Sequence, residues 1–165
     1  MQKIGIVLTA LCLTALASAG EKPQKQEVRH SMLGYRSTLV FYTFTDQRAV
    51  LVLTIGNKDE SFPISGKVQL FDKGTSEDGI KKWINNQHSD ALFIDAAQPR
   101  SAHPLPKGFC TITARKQTGS SKNPGPGGGS YKDFELSLSI SAQELGQGTR
   151  IPAFTDTARV HVGGK

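Results

Sequence analysis

The residues able to do chemistry here are four histidines, two cysteines and a few clustered carboxylates. His88 and Asp90 fall in the run Asn85-Asn86-Gln87-His88-Ser89-Asp90, and Asp95 and His103 follow in the next loop. Two imidazoles and two carboxylates can ligate a metal ion or share a proton. Their spacing matches neither HExxH nor another zinc pattern. Asn, His, Ser and Asp are also the residues that end helices and shape turns. Asn85, Asn86, His88, Asp90, Asp95 and His103 are therefore read as a polar binding rim, with no catalytic residue, metal or cofactor assigned. The alternative is a metal-dependent or hydrolytic enzyme built on His88, Asp90, Asp95 and His103.

Other candidates reduce to structural roles. Cys110 stands mid-strand in line with Ile112 and Ala114, the position of a buried, inert thiol rather than an activated nucleophile. His30 lies in a polar leader, and His161 alternates with Val160 and Val162 and is expected to face solvent. The stretch 119–130 (GSSKNPGPGGGS) is glycine-rich, but it leads into a strand, lacks Gly-Lys-Ser/Thr and loses donors to Pro124 and Pro126. It is read as a flexible loop rather than a phosphate cradle. No G-x-S-x-G or D-x-D-x-D-G occurs, which removes the nucleophile elbow and the calcium loop. Acidic pairs such as Glu77-Asp78 fit a helix start, where they complement its dipole.

These residues must be positioned by short strands. The segment 38–45 (TLVFYTFT) is β-branched and aromatic. The segment 49–55 (AVLVLTI) is apolar on both faces, which predicts a central strand paired with it as a hairpin. A third strand covers 67–71. The period then changes, since Ile80, Trp83 and Ile84 share one helical face. A helix over 77–87 is predicted, opened by a Thr75/Asp78 capping box, with Trp83 turned inward. Short strands follow at 91–94, 109–115, 131–141 and 157–162, with a further one near 150–154. In 131–141, Phe134, Leu136, Leu138 and Ile140 point in and Glu135, Ser137, Ser139 and Ser141 point out. The sum is a mostly β, antiparallel sandwich of about seven strands with one surface α-helix. It is immunoglobulin-like only in the broad sense, because the Cys–Trp–Cys signature is missing.

The chain opens as a secretory signal peptide. Lys3 is followed by an apolar run over 4–16 and by Ala17-Ser18-Ala19. Cleavage is expected after Ala19, and the run is too short to cross a bilayer, which takes about 20 apolar residues. Residues 20–36 read as a flexible leader and 37–163 as a single domain. Cleavage removes Cys12, so Cys110 has no disulfide partner and the fold rests on its hydrophobic core. Bulky Leu11 before Cys12 argues against lipid attachment. The address, the lack of a glycosylation sequon and the scarcity of cysteine together indicate a bacterial periplasmic or extracellular protein.

The net charge of +6 is scattered. No run of five bases marks a specific nucleic-acid footprint, and no membrane span is expected. The function expected from sequence is a non-enzymatic envelope domain that binds or supports an unidentified macromolecule. Weak binding of anionic polymers through the basic surface is a second alternative.

Overall fold

The computed structural model describes residues 22–32, 35–87, 102–122, 129–146 and 148–163. The strands are β1 (Gln24–Met32), β2 (Tyr35–Phe44), β3 (Ala49–Gly56), β4 (Ile64–Leu70), β5 (Ala102–Pro104), β6 (Cys110–Lys122), β7 (Ser130–Ile140), β8 (Gln143–Glu144), β9 (Arg150–Ile151) and β10 (Phe154–Gly163). The one described α-helix, α1, is Glu77–Asn86. Sheet A has the order β1-β2-β3-β4-β5, sheet B the order β10-β7-β6, and β8 pairs with β9. All pairings are antiparallel.

Alternation in β2 and β3 explains the layering. Val40, Tyr42, Leu51 and Leu53 face one way and pack with Phe134, Leu136, Leu138, Ile140, Ala158 and Val160 of sheet B. Leu39, Phe41, Val50 and Val52 face the other way and pack against Ile80 and Ile84 of α1. Sheet A is thus covered on both faces, as the doubly apolar 49–55 segment requires. Ile80 and Ile84 are 5% and 3% exposed, and burying each contributes about 1.5–3 kcal/mol toward holding the helix down. Ser76 is the N-cap and accepts from the Gly79 N–H at 3.1 Å, one position after the expected Thr75.

Ten strands are present among the described residues where the sequence suggested about seven. Two of the additions, β5 and β8, are three and two residues long, too short for periodicity to register, while β9 falls where a further strand was expected near 150–154. The largest addition is β1, which runs in full register with β2 through residues read as leader. Its Lys25, Glu27 and Arg29 take the place of apolar residues because they lie at the sheet margin. β6 extends to Lys122 and β7 starts at Ser130, so both ends of the stretch read as a flexible loop, 119–122 and Ser130, are strand. A register shift between Ile112 and Ala114 breaks the expected Cys110/Ile112/Ala114 face and leaves Ala114 exposed. Trp83 is half-buried rather than largely buried, edge-on to Phe71 at 5.4 Å. The strand expected at 91–94 lies outside the described residues.

Candidate functional site

The expected rim is not assembled as a unit. Asn85 and Asn86 are exposed on the last turn of α1, and Asn85 Oδ1 accepts from Gln26 Nε2 of β1 at 3.5 Å. His103 is half-buried on β5, opposite Val68 of β4. Asn85 belongs to α1, which packs on the Phe41/Val52 face of sheet A, whereas His103 stands opposite Val68, which faces sheet B, so the two lie on opposite faces of sheet A. His88, Asp90 and Asp95 lie outside the described residues. Among the described residues, no group of three His, Cys, Asp or Glu side chains could hold a metal ion. Cys110 is buried, and burial pushes its thiol up to about 11, the opposite of an activated nucleophile.

A different surface gathers polar groups: the outer face of sheet B. Leu138, Leu136 and Phe134 of β7 point inward, so Ser139, Ser137, Glu135 and Asp133 point outward. Register then builds rows across the three strands. Thr111, Ser139 and Thr155 form one, and Ala114, Ser137 and Thr157 the next. Lys116, Glu135 and Arg159 form a cation–anion–cation row, followed by Gly119, Asp133 and His161. Thr111, Ala114, Lys116, Thr155, Thr157 and Arg159 are exposed, and the β7 members are half-buried between their neighbours.

At the end of this face His161 is not turned freely to solvent. Its Nδ1 meets Asp133 Oδ1 at 2.7 Å, and its ring stacks on Tyr131 with centroids 5.0 Å apart. A carboxylate only accepts, so Nδ1 is the donor of this bond. Arg29 Nη2 of β1 stands 3.9 Å from the same carboxylate oxygen. Sequence reasoning missed this group because Asp133 and His161 become neighbours only through the β7–β10 register.

Sheet A braces this end. The carbonyls of Thr157, Arg159 and His161 line the free edge of β10. They accept from Lys25 Nζ, from Thr38 Oγ1 at 3.5 Å and from Asn57 Nδ2 at 3.1 Å. Asp59, Glu60 and Phe62 all adopt left-handed backbone, with φ of 50°, 55° and 46°, a conformation that costs non-glycine residues about 1–3 kcal/mol each. Surrounding contacts hold them there. Phe62 is 1% exposed and edge-on to Phe134 at 5.2 Å. Glu60 binds Lys132 at 2.6 Å through its carboxylate and Arg115 Nη1 at 2.9 Å through its carbonyl.

A second brace joins β1, β2 and β10. Tyr42 donates to Asp156 Oδ2 at 3.0 Å, and Lys25 Nζ lies 3.0 Å from Asp156 and 2.7 Å from Glu27. Burial alone would raise the Asp156 carboxyl, but hydrogen bonds from Lys25, the Thr157 backbone and Tyr42 outweigh it and hold it below its usual value. Burial alone would lower Lys25, and Glu27 and Asp156 likewise reverse the direction and raise it. Burial, reinforced by the Asp156 charge, raises the Tyr42 phenol.

Fold and site together define a β-sandwich domain with one face of its larger sheet closed by a helix and the outer face of its smaller sheet open and polar. No protein family, characterised protein or solved structure matches the chain. No described helix is long and apolar enough to cross a membrane.

Proposed function

We propose that this is an exported, non-enzymatic domain of a bacterial envelope that holds an extended polymeric partner on the outer face of sheet B. One observation carries the proposal. A cross-strand row of three hydroxyls, a second row with two, a charged row and an Asp–His pair are presented side by side on an exposed, braced surface. A flat array of alternating donors and acceptors suits a partner that is itself extended and polar, and rigid strands hold such groups in place at little entropic cost. The overall positive charge favours partners with anionic groups. The signal-like sequence over 1–19 supports export.

The test is a variant that changes the face and spares the fold. In Lys116→Ala/Arg159→Ala both side chains are exposed, so stability should move by no more than about 0.5 kcal/mol for each change. The mature chain should co-sediment with an insoluble envelope fraction, and the double variant should lose most of that binding at an unchanged melting temperature. Equal retention of both proteins would reject the proposed face.

A further inference from the structure

On the face of sheet A turned away from sheet B, a groove opens where α1 ends. The helix has ten residues and a length of about 15 Å, so it covers only part of that face. Leu39, Thr54 and Ser65 stand opposite one another across β2, β3 and β4, and Val52 stands opposite Lys67 in the next row. These side chains and Gln87, the C-cap of α1, line a cavity of about 260 Å³. Of the lining residues only Ser65 is exposed and only Lys67 is charged. Two of the polar groups there are incompletely bonded. Gln87 is 7% exposed, and among the described residues its side-chain amide has no hydrogen-bond partner. That amide is not sealed into the packing, so it borders open space. Lys67 is half-buried and has no ion-pair partner among the described residues. Polar groups held away from bulk water without a partner are costly, and charged ones more so.

We infer that this cavity binds a small amphiphilic carboxylate, with its charge at Lys67 and its apolar body over Leu39 and Val52. Ligand sites combine an apolar lining with a few placed polar groups, and this lining is divided in that way. The ammonium and the Ser65 hydroxyl belong to β4, whereas the apolar side chains belong to β2 and β3. No acidic side chain lines the cavity, so the ammonium favours an anion, and a charge-assisted bond to a carboxylate is stronger than a neutral one. A cavity of about 150 Å³ takes one benzene ring, so the 260 Å³ here takes by proportion about ten non-hydrogen atoms. The carbonyl end of α1 opposes an anion, which limits the affinity and sets the carboxylate on the β4 side. The Gln87 amide offsets this by donating to a carboxylate oxygen. The site is independent of the outer face of sheet B.

The experiment titrates the mature chain with sodium octanoate, with octanol and octylammonium as controls of equal chain length and different charge. Calorimetry reads the affinity, and ¹⁵N spectra follow the Gln87 side-chain amide. Octanoate should bind saturably and shift that amide, with octanol weaker by about tenfold or more and octylammonium weaker still. Lys67→Gln should weaken octanoate by about tenfold or more and leave octanol unchanged. Ser65 is exposed, so Ser65→Trp should abolish binding by filling the groove at a nearly unchanged melting temperature. That variant and the ligand series on the wild-type chain keep the test independent of whether Lys67→Gln folds. Absence of saturable octanoate binding, equal affinity for octanol, or wild-type affinity in Ser65→Trp or in folded Lys67→Gln overturns the inference. Octanoate binding that leaves the Gln87 amide unshifted overturns it as well.

Discussion

Replacing Tyr42 by Phe tests how the two sheets are fastened beside β10. The ring is 1% exposed and stays packed edge-on to Phe154 at 4.9 Å, so the substitution removes only the hydroxyl. That hydroxyl donates to the Asp156 carboxylate at 3.0 Å. A hydrogen bond to a charged group contributes about 1.5–3 kcal/mol. Asp156 keeps its ion pair with Lys25, which places the cost at the lower end, about 1.5–2 kcal/mol. For a domain of this size that corresponds to a fall in melting temperature of about 3–8 °C. The pH dependence has a definite sign. Asp156 is held below its usual value, so the stabilisation is present above the unfolded carboxyl value of about 3.9 and is lost as pH falls through the lower folded value. Lys25 and Tyr42 are both raised. Their contributions are complete below about pH 10 and are lost as pH climbs through the folded values. Urea unfolding across this range, in a double-mutant cycle with Asp156→Asn, is the assay. A Tyr42→Phe change of less than about 0.5 kcal/mol at neutral pH, or additivity of the two substitutions, would refute the reasoning.

Three further outcomes follow from the packing. Gly66→Ala should destabilise by about 1–3 kcal/mol in urea melts, because a Cβ there would overlap the Phe109 ring and approach Leu53. Ser76→Ala should cost about 1 kcal/mol through loss of the Gly79 cap, seen as weaker hydrogen-exchange protection over the first turn of α1. Cys110 should resist thiol reagents at pH 8 until the protein is unfolded. Its thiol, pushed up to about 11 by burial, should add an alkaline loss of stability as pH rises from the unfolded value toward that figure.

The interior of this fold was legible because its residues repeat a simple physical pattern. The 49–55 segment is apolar on both faces, and β3 lies between sheet B and α1. Phe134, Leu136, Leu138 and Ile140 alternate, and all four are buried. Ile80 and Ile84 at helical spacing predicted the face that α1 buries. The margins were not legible. β1 (QKQEVRHSM) carries polar residues on its inner face because Lys25 meets both Glu27 and Asp156 there, and periodicity of apolar residues is blind to such a strand. The candidate site fared worse. Its rows depend on which residues of β6, β7 and β10 stand opposite one another, and the shifts at Ile112/Ala114 and Gln117/Gly119 leave no trace in spacing. Clustering along the chain pointed instead to Asn85, Asn86 and their neighbours, yet Asn85 on α1 and His103 on β5 lie on opposite faces of sheet A.

The measurement that bears most directly on the proposed binding face is chemical-shift mapping of the ¹⁵N-labelled mature chain titrated with solubilised envelope polymer. The account predicts that shifts concentrate in 111–116, 133–139 and 155–161, with the largest changes around Lys116, Glu135 and Arg159, while α1 stays unperturbed. Shifts centred on Asn85, Asn86 and His103, with sheet B silent, would contradict it.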